Sequence, residues 1–290
     1  MPNKFWKLGI IGWPLGYSLS PLMHRAALKA AGLEGTYDEI KVKPEDLERW
    51  LKEEAPKLDG FNVTMPHKVA VWEHIGKQGA FGQPFPELVR DIGAVNTVQV
   101  RDGKLIGTNT DGPGFLAAFE RSGAFRDKNV LLLGAGGAAR AIAVHLVQSE
   151  QVGSLRIWNR NPEKARELAE RMAQLRRSAK VEAVNDLRSV PVDRMALIVN
   201  ATPTGMNKHE ESPVDCGLLL KGQVVYDIVY DPLETRLIHG ARKQGCTVIR
   251  GDQMLAGQAA AAFEIWTGVP KEKVLPMMKR ALDAHFAAAA

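Results

Sequence analysis

The sequence predicts an α/β protein of two domains, the second a doubly wound parallel sheet, on three observations. Short apolar runs alternate with helical patterns from residue 7 to about 106, and the alternation resumes near Asn129. VLLLGAGGAARAIAVHLV (130–147) reads as a buried strand, a glycine turn and an amphipathic helix. From Gln253 onward the chain reads as helix alone and ends in an alanine tail. The first domain lacks C-terminal elements of its own, so those last helices are expected to pack back on it. The expected boundaries are 1–106 plus 253–290 for one domain and 107–252 for the other. At 290 residues, 45% of them hydrophobic, the chain is long enough for two cores.

The elements follow in order. KLGIIG (7–12) is a strand. SPLMHRAALKAAG (20–32) is a helix with Ser20 as N-cap, Pro21 at its first position and Gly32 closing it. GFNVT (60–64) alternates apolar and polar residues, which sets Asn62 and Thr64 on one strand face. Pro66 cannot continue that strand but suits the first turn of a helix. Lys68 then falls in that turn, on an inward stripe with Val71, Trp72 and Ile75. A cation at the positive end of a helix dipole and aimed at the interior costs free energy, which asks for a role. AVNTVQVRDGKLIGTNT (94–110) reads as two strands around an Asp102–Gly103 turn. In the second domain, SLRIWN, ALIVNAT, VVYDIVY and TVIRG are the further strands.

Composition excludes several classes. Charged residues make up 24% without long runs, so disorder is not indicated. Cys216 and Cys246 have no paired spacing, and the seven histidines form no ligand pattern, so neither a disulfide framework nor a metal site is expected. The N-terminal apolar run is too short for a signal peptide and no segment is long enough to span a bilayer. A cytoplasmic protein with no membrane partner is expected. The net charge of +5 is scattered, its densest patch being Arg171 to Arg177 on a helix face expected to be exposed, so no nucleic-acid partner is expected.

Gly134-Ala135-Gly136-Gly137-Ala138-Ala139 matches the dinucleotide fingerprint GxGxxA in its strand–turn–helix setting. Gly134 allows the tight turn, Gly136 lets pyrophosphate approach the backbone, and Ala139 permits close helix–strand packing. Free N–H groups at Gly137 and Ala138 and the helix dipole favour the phosphates. This makes the second domain Rossmann-type. An NAD site places a carboxylate at the end of the next strand. SLRIWN instead ends in Asn159, followed by Arg160, with Lys164 four residues on. Two cations suit a 2′-phosphate, so NADP is expected over NAD. Asn161 and Pro162 start the following helix.

Other polar residues need a role: Ser18 and Ser20 in GYSLSP, Asn62 and Thr64, Asn96 and Thr97 in AVNT, and Asp111 in NTDG. Singly, Ser20 and Asp111 read equally well as helix N-caps. NVT and NAT match the glycosylation sequon, which without a secretory signal is chance. Taken together, SLSP, NVTMPHK, GAVNT, NTDG, GAGGAAR, NRN, NATPTGM, YDIVY and GDQMLAGQA stand in an order that resembles the shikimate dehydrogenases. The resemblance runs from Gly9 to about Gly268.

The resemblance implies a substrate domain, built from the N-terminal part and the last helices, and a central NADP domain. It implies reversible reduction of 3-dehydroshikimate to shikimate with NADPH, with Lys68 and Asp111 as the catalytic pair. Ser18 and Ser20 would hold the substrate carboxylate, and Asn62, Thr64, Asn96 and Gln258 the ring hydroxyls. Tyr230 would line the site near carboxylate and nicotinamide. Further cofactor contacts would come from Thr202 and Met206 in NATPTGM, Ile228 in YDIVY, and Gly251 and Met254 in the GDQM segment. Gln258 follows Met254 by one turn, on a stripe with Ala261 and Ile265, which suits an inward role. His67 is assigned no role. The family's phosphate motif reads NRT or NRS and then arginine, whereas this chain has NRN and Lys164, a less specific phosphate ligand.

A monomer or homodimer is expected. The alternative is a quinate or bifunctional quinate/shikimate dehydrogenase using NAD or NADP. Ser20 and the missing carboxylate after the second strand favour shikimate with NADP. A non-catalytic NADP sensor is disfavoured because it has no need of both Lys68 and Asp111.

Overall fold

The structure is a computed structural model that describes residues 4–16, 18–82, 86–119, 128–149, 152–176, 178–206 and 211–289. The chain divides into two compact units, Met1–Gly114 with Ala256–Ala290, and Phe115–Leu255.

The first unit holds a five-stranded sheet of β1 (Trp6–Gly12), β2 (Gly35–Lys41), β3 (Gly60–Val63), β4 (Thr97–Arg101) and β5 (Lys104–Thr108). Their order is β2-β1-β3-β4-β5. β1 runs parallel to β2 and β3, while β3–β4 and β4–β5 are antiparallel. The β4–β5 connection is the expected Asp-Gly turn, Asp102 at φ 51° and Gly103 at φ 72°. One sheet face buries Ile11, Phe61 and Val63 against α2 (Leu47–Glu53), α3 (Lys68–Gly76) and α4 (Pro86–Ile92), through Leu51, Val71, Ile75 and Val89. The other face buries Leu8, Ile10 and Tyr37 against Ala262 and Trp266 of α9 (Gly251–Thr267). Trp266 Nε1 donates to Val98 O at 2.9 Å, and α10 (Lys271–Ala289) packs on α1 (Ser20–Ala30). The C-terminal helices thus return to the first unit.

The second unit is a six-stranded parallel sheet of β6 (Lys128–Leu133), β7 (Val152–Trp158), β8 (Lys180–Val184), β9 (Leu197–Asn200), β10 (Val224–Asp227) and β11 (Thr247–Arg250). The order β11-β10-β9-β6-β7-β8 reverses direction between β6 and β9, the doubly wound arrangement in which ligands bind beyond the strands' carboxyl ends. Leu131, Leu133, Ile198 and Val225 pack on Leu237 and Ala241 of α8 (Arg236–Lys243). The chain enters this unit along α5 (Asp111–Phe119). α6 (Gly137–Gln148) and α7 (Pro162–Leu175) follow β6 and β7.

Several local expectations are corrected. Ser20 does not cap α1: Leu19 holds the N-cap position without a side-chain cap bond, and Ser20 lies in the first turn. Its N–H bonds Ser18 Oγ at 3.2 Å instead, because the serines form their own turn before the helix. α3 begins at Lys68, not Pro66, since residues 64–67 close a turn through His67 N–H to Thr64 O at 3.0 Å. β2 and β8 were not anticipated. Both are edge strands with polar outer positions, and β2 buries only Tyr37, so neither shows an apolar run. In the basic run, Arg171 and Arg176 are half-buried and Arg176 bonds the carbonyls of Val147 and Ser149, while Arg177 lies outside the described residues. Among the described residues no helix is long and apolar enough to cross a membrane.

Candidate active site

Two backbone features converge in the first unit. The turn after β3 delivers Lys68 as the first residue of α3, and the segment after β5 delivers Asp111 as the first residue of α5. Asp111 sits where a helix dipole favours an anion, whereas Lys68 sits where it disfavours a cation. They meet: Lys68 Nζ lies 2.6 Å from Asp111 Oδ2, with side chains only 16% and 6% exposed. A pair this buried contributes little to stability after its desolvation cost, so its presence is a sign of chemistry.

Around the pair the predicted polar residues form a connected set. Asn96 Nδ2 donates to Asp111 Oδ1 at 2.8 Å, and the Asp111 N–H is held by Asn109 Oδ1 at 3.0 Å. Asn62 Nδ2 donates to Asn96 O and Thr97 Oγ1, both at 3.1 Å. Its Oδ1 accepts from Tyr37 Oη at 2.7 Å. Ser20, Asn62, Asn96 and Asp111 are all buried. Thr64 and Ser18 are half-buried beside them in sequence, on the strand end and the serine turn. Gln258 is buried on α9, whose neighbouring Gly257 lies close to α5: a Cβ there would stand 3.2 Å from Gly114 Cα. No group of three or more His, Cys, Asp or Glu side chains that could hold a metal ion occurs among the described residues.

The second unit places its predicted residues at the carboxyl ends of β6, β7, β9 and β10. Gly134 has φ +117°, and a Cβ there would lie 2.7 Å from Ala201 O, so this glycine is required by the turn itself. Gly136 differs. Its φ of −79° and ψ of −176° suit any residue, and a Cβ would meet nothing within 4 Å. No side chain caps α6 and no acidic residue occupies its first turn. Gly136 thus leaves open the space above uncapped helix N–H groups, which fits a dinucleotide's pyrophosphate. Ala135 and Ala139 are buried beneath the turn, with Gly137 and Ala138 half-buried.

Past β7, Asn161 caps α7 by accepting from Glu163 N–H at 3.0 Å, and Asn159 Nδ2 holds Asn161 O at 2.9 Å. Arg160 and Lys164 stand exposed around this capped turn, with no carboxylate in Asn159's place. The donor set suits a phosphate beyond the pyrophosphate. Thr202, Met206, Ile228 and Tyr230 are half-buried on the loops after β9 and β10, while Gly251 and Met254 are buried at the start of α9.

Three residues are given no part in the site by the sequence alone. Thr97 is fully buried between Asn62 and Asn96, a link invisible in AVNT alone. His67, given no role, is buried with Nε2 at 2.7 Å from Val42 O, which anchors the turn that delivers Lys68. Asp227, inside YDIVY, is a buried carboxylate that joins two loops. It accepts from Asn200 Nδ2 at 2.9 Å, Val229 N–H at 3.1 Å and Thr235 Oγ1 at 2.7 Å. An acidic residue at the end of an apolar strand is the signal that could have found it. The sequon asparagines Asn62 and Asn200 are both buried.

Burial raises Asp227 to about 6, opposed by Thr235, Val229 and Asn200. A raised folded-state value means that the folded protein binds this proton more tightly than the unfolded chain. Its stabilising effect is full below pH about 4 and is lost as pH rises through about 6. Wild type should therefore gain roughly 2 kcal/mol relative to Asp227→Asn between pH 7 and 4. Thermal unfolding of both proteins across that range checks this; a constant gap would contradict it.

Comparison with known proteins bears on this arrangement. The family described as shikimate dehydrogenase substrate binding domain matches residues 10–98. Shikimate / quinate 5-dehydrogenase matches 117–212, and the shikimate 5'-dehydrogenase C-terminal domain matches 253–270. A shikimate dehydrogenase (NADP(+)) of Methanocaldococcus jannaschii is 41% identical over 281 residues, 95% of each chain. Among solved structures, the shikimate 5-dehydrogenase of Thermus thermophilus in complex with NADP(H) and shikimate is 36% identical, with a TM-score of 0.81. It is matched over 95% of this chain and 99% of that one. The quinate dehydrogenase of Corynebacterium glutamicum in complex with NAD is 30% identical, with a TM-score of 0.84, over 96% and 99%.

Proposed function

The chain belongs to the shikimate dehydrogenase family, and from that premise we propose that Lys68 and Asp111 carry the proton step of its reaction. It is an NADP-dependent oxidoreductase acting on a CH–OH group, which interconverts 3-dehydroshikimate and shikimate. The buried ion pair, Nζ to Oδ2 at 2.6 Å, is the observation that carries the catalytic assignment.

Bound NADP(H) supplies or takes up the hydride at the ring carbon. As the ketone becomes an alcohol, its oxygen gains negative charge and needs a donor. Lys68 provides that proton and a positive field, while Asp111 holds the ammonium in place and stays paired with it. In the oxidising direction the substrate hydroxyl gives its proton back to the Lys68 amine. Asn62, its amide already turned by Tyr37, offers an Oδ1 lone pair to a ring hydroxyl, and Thr64 and Gln258 supply further hydrogen bonds. Ser18 and Ser20 are assigned to the substrate carboxylate and Tyr230 to the substrate; Asn96 acts on Asp111. Such buried polar contacts reject analogues that lack a hydroxyl, because the groups left behind would be unpaired.

Gly134, Ala135, Gly136, Gly137 and Ala138 are assigned to the pyrophosphate. Asn159, Arg160, Asn161 and Lys164 are assigned to the adenosine phosphate. Thr202, Met206, Ile228, Gly251 and Met254 complete the cofactor contacts. A cytoplasmic monomer or homodimer is part of the same proposal.

The second reading, quinate with NAD, is favoured by one observation: Lys164 stands where a bidentate arginine would discriminate NADP more sharply. Following reduced-nicotinamide absorbance with shikimate or quinate, each with NADP or NAD, decides between the two. Shikimate with NADP is expected to give the highest kcat/KM. Turnover of quinate with NAD alone would overturn the preferred reading.

A further inference from the structure

We infer that a one-way hydrogen-bond chain, from Tyr37 through Asn62 and Thr97 to Asn96, fixes the Asp111 carboxylate and makes Tyr37 and Thr97 positioning residues; this rests on the catalytic assignment above. Its direction is set at both ends by groups that can play only one part. The Asn96 main-chain carbonyl can only accept, so the amide edge of Asn62 facing it at 3.1 Å is Nδ2. Asn62 Oδ1 therefore faces Tyr37, whose hydroxyl must donate, at 2.7 Å. At the other end, the Thr110 main-chain N–H can only donate, and it takes Asn96 Oδ1 at 2.8 Å. That leaves Asn96 Nδ2 for Asp111 Oδ1 at 2.8 Å. Between the ends, Thr97 Oγ1 accepts from Asn62 Nδ2 at 3.1 Å, and its proton reaches Asn96 Oδ1 directly at 2.9 Å or by way of the Thr110 hydroxyl, which lies 3.1 Å from Thr97 Oγ1 and 3.2 Å from Asn96 Oδ1.

Every group donates to the next, so their dipoles align and each bond strengthens its neighbour. Tyr37 and Thr97 are fully buried, which removes competition from water. The His24 ring lies flat on Tyr37, centroids 4.3 Å apart and planes within 7°, which holds the plane of the phenol ring. Burial holds the Tyr37 hydroxyl well above its ordinary titration range, so it stays a donor. Asp111 then has each oxygen held, Oδ1 by Asn96 and Oδ2 by Lys68, so the carboxylate plane and the Lys68 ammonium are set together. Both Nδ2 hydrogens of Asn62 and of Asn96 are spent inside the protein. Asn62 can therefore meet a substrate hydroxyl only as an acceptor.

The test is a kinetic cycle with shikimate and NADP. Thr97→Val should lower kcat about tenfold, the scale of one hydrogen bond in a charge-linked network, with KM for NADP unchanged. Thr97→Ser, which keeps the hydroxyl, should restore kcat to within about twofold. In an Asp111→Asn background Thr97→Val should cost no further kcat, because its effect passes through the carboxylate. A Thr97→Val loss that is undiminished in that background, or that Thr97→Ser shares, overturns the chain. Wild-type kcat in Asp111→Asn by itself overturns the catalytic assignment instead. Tyr37→Phe deletes a single oxygen at the far end and serves the same cycle if Thr97→Val does not fold; additivity with Asp111→Asn again overturns the chain.

Discussion

Replacing Lys68 with alanine is expected to lower kcat by about 10²–10⁴-fold, with KM for shikimate changed by less than about threefold. In the proposed assignment the ammonium meets charge that develops on the reacting oxygen, and that charge is absent in the ground state. Its removal therefore affects turnover far more than binding. The variant also leaves Asp111, 6% exposed, without its partner, at a cost of about 3 kcal/mol in stability. Lys68→Ala/Asp111→Ala separates the two consequences, since removing both charges recovers stability but not turnover. Steady-state kinetics beside thermal unfolding of the three proteins makes the check. Wild-type kcat in a folded Lys68→Ala protein would falsify the catalytic role.

Gly136→Val is expected to weaken NADP binding about a hundredfold or more, near 2.7 kcal/mol, while leaving the unfolding temperature within a few degrees of wild type. The backbone at Gly136 is ordinary extended chain and its Cβ direction is open, so neither conformation nor packing asks for glycine there. Only a ligand brought against the backbone does. Gly134→Val supplies the contrast. With φ +117° and a Cβ position 2.7 Å from Ala201 O, it should destabilise the fold as well. Calorimetric titration with NADP and unfolding of both variants tests the pair. Undiminished NADP affinity in Gly136→Val would remove the pyrophosphate from this turn.

Much of this arrangement was legible because its signals are local. The glycine turn carries its own spacing between a buried strand and a helix. The Asp102–Gly103 turn needed only two residues with positive φ, and Asn161 needed only a free N–H two positions on. Lys68 was legible as a misplaced cation, since helix dipole and inward stripe are both periodicity arguments. The edge strands β2 and β8 were not, because an edge buries too little to leave an apolar run. Ser20 misled for a different reason. A serine before proline reads as a cap, but its N–H is taken by Ser18 Oγ and Leu19 holds the N-cap position.

By itself the sequence determined the two α/β domains, the glycine turn, the absence of a carboxylate after Trp158, and the residue types that could do the chemistry. These depend on periods of two and 3.6 residues and on spacings of a few positions. Tertiary structure alone decided which polar groups meet. Asp111 lies 43 residues from Lys68, and Asn62 lies 35 from Thr97. A hydrogen bond is directional and ends within about 3 Å, so such partners are set only when the sheet brings the ends of β3, β4 and β5 together. Asn62 and Asn96 were named from the sequence as substrate contacts. In the fold the amide of Asn96 is spent on Asp111, and that of Asn62 is turned by a tyrosine whose role no spacing reveals.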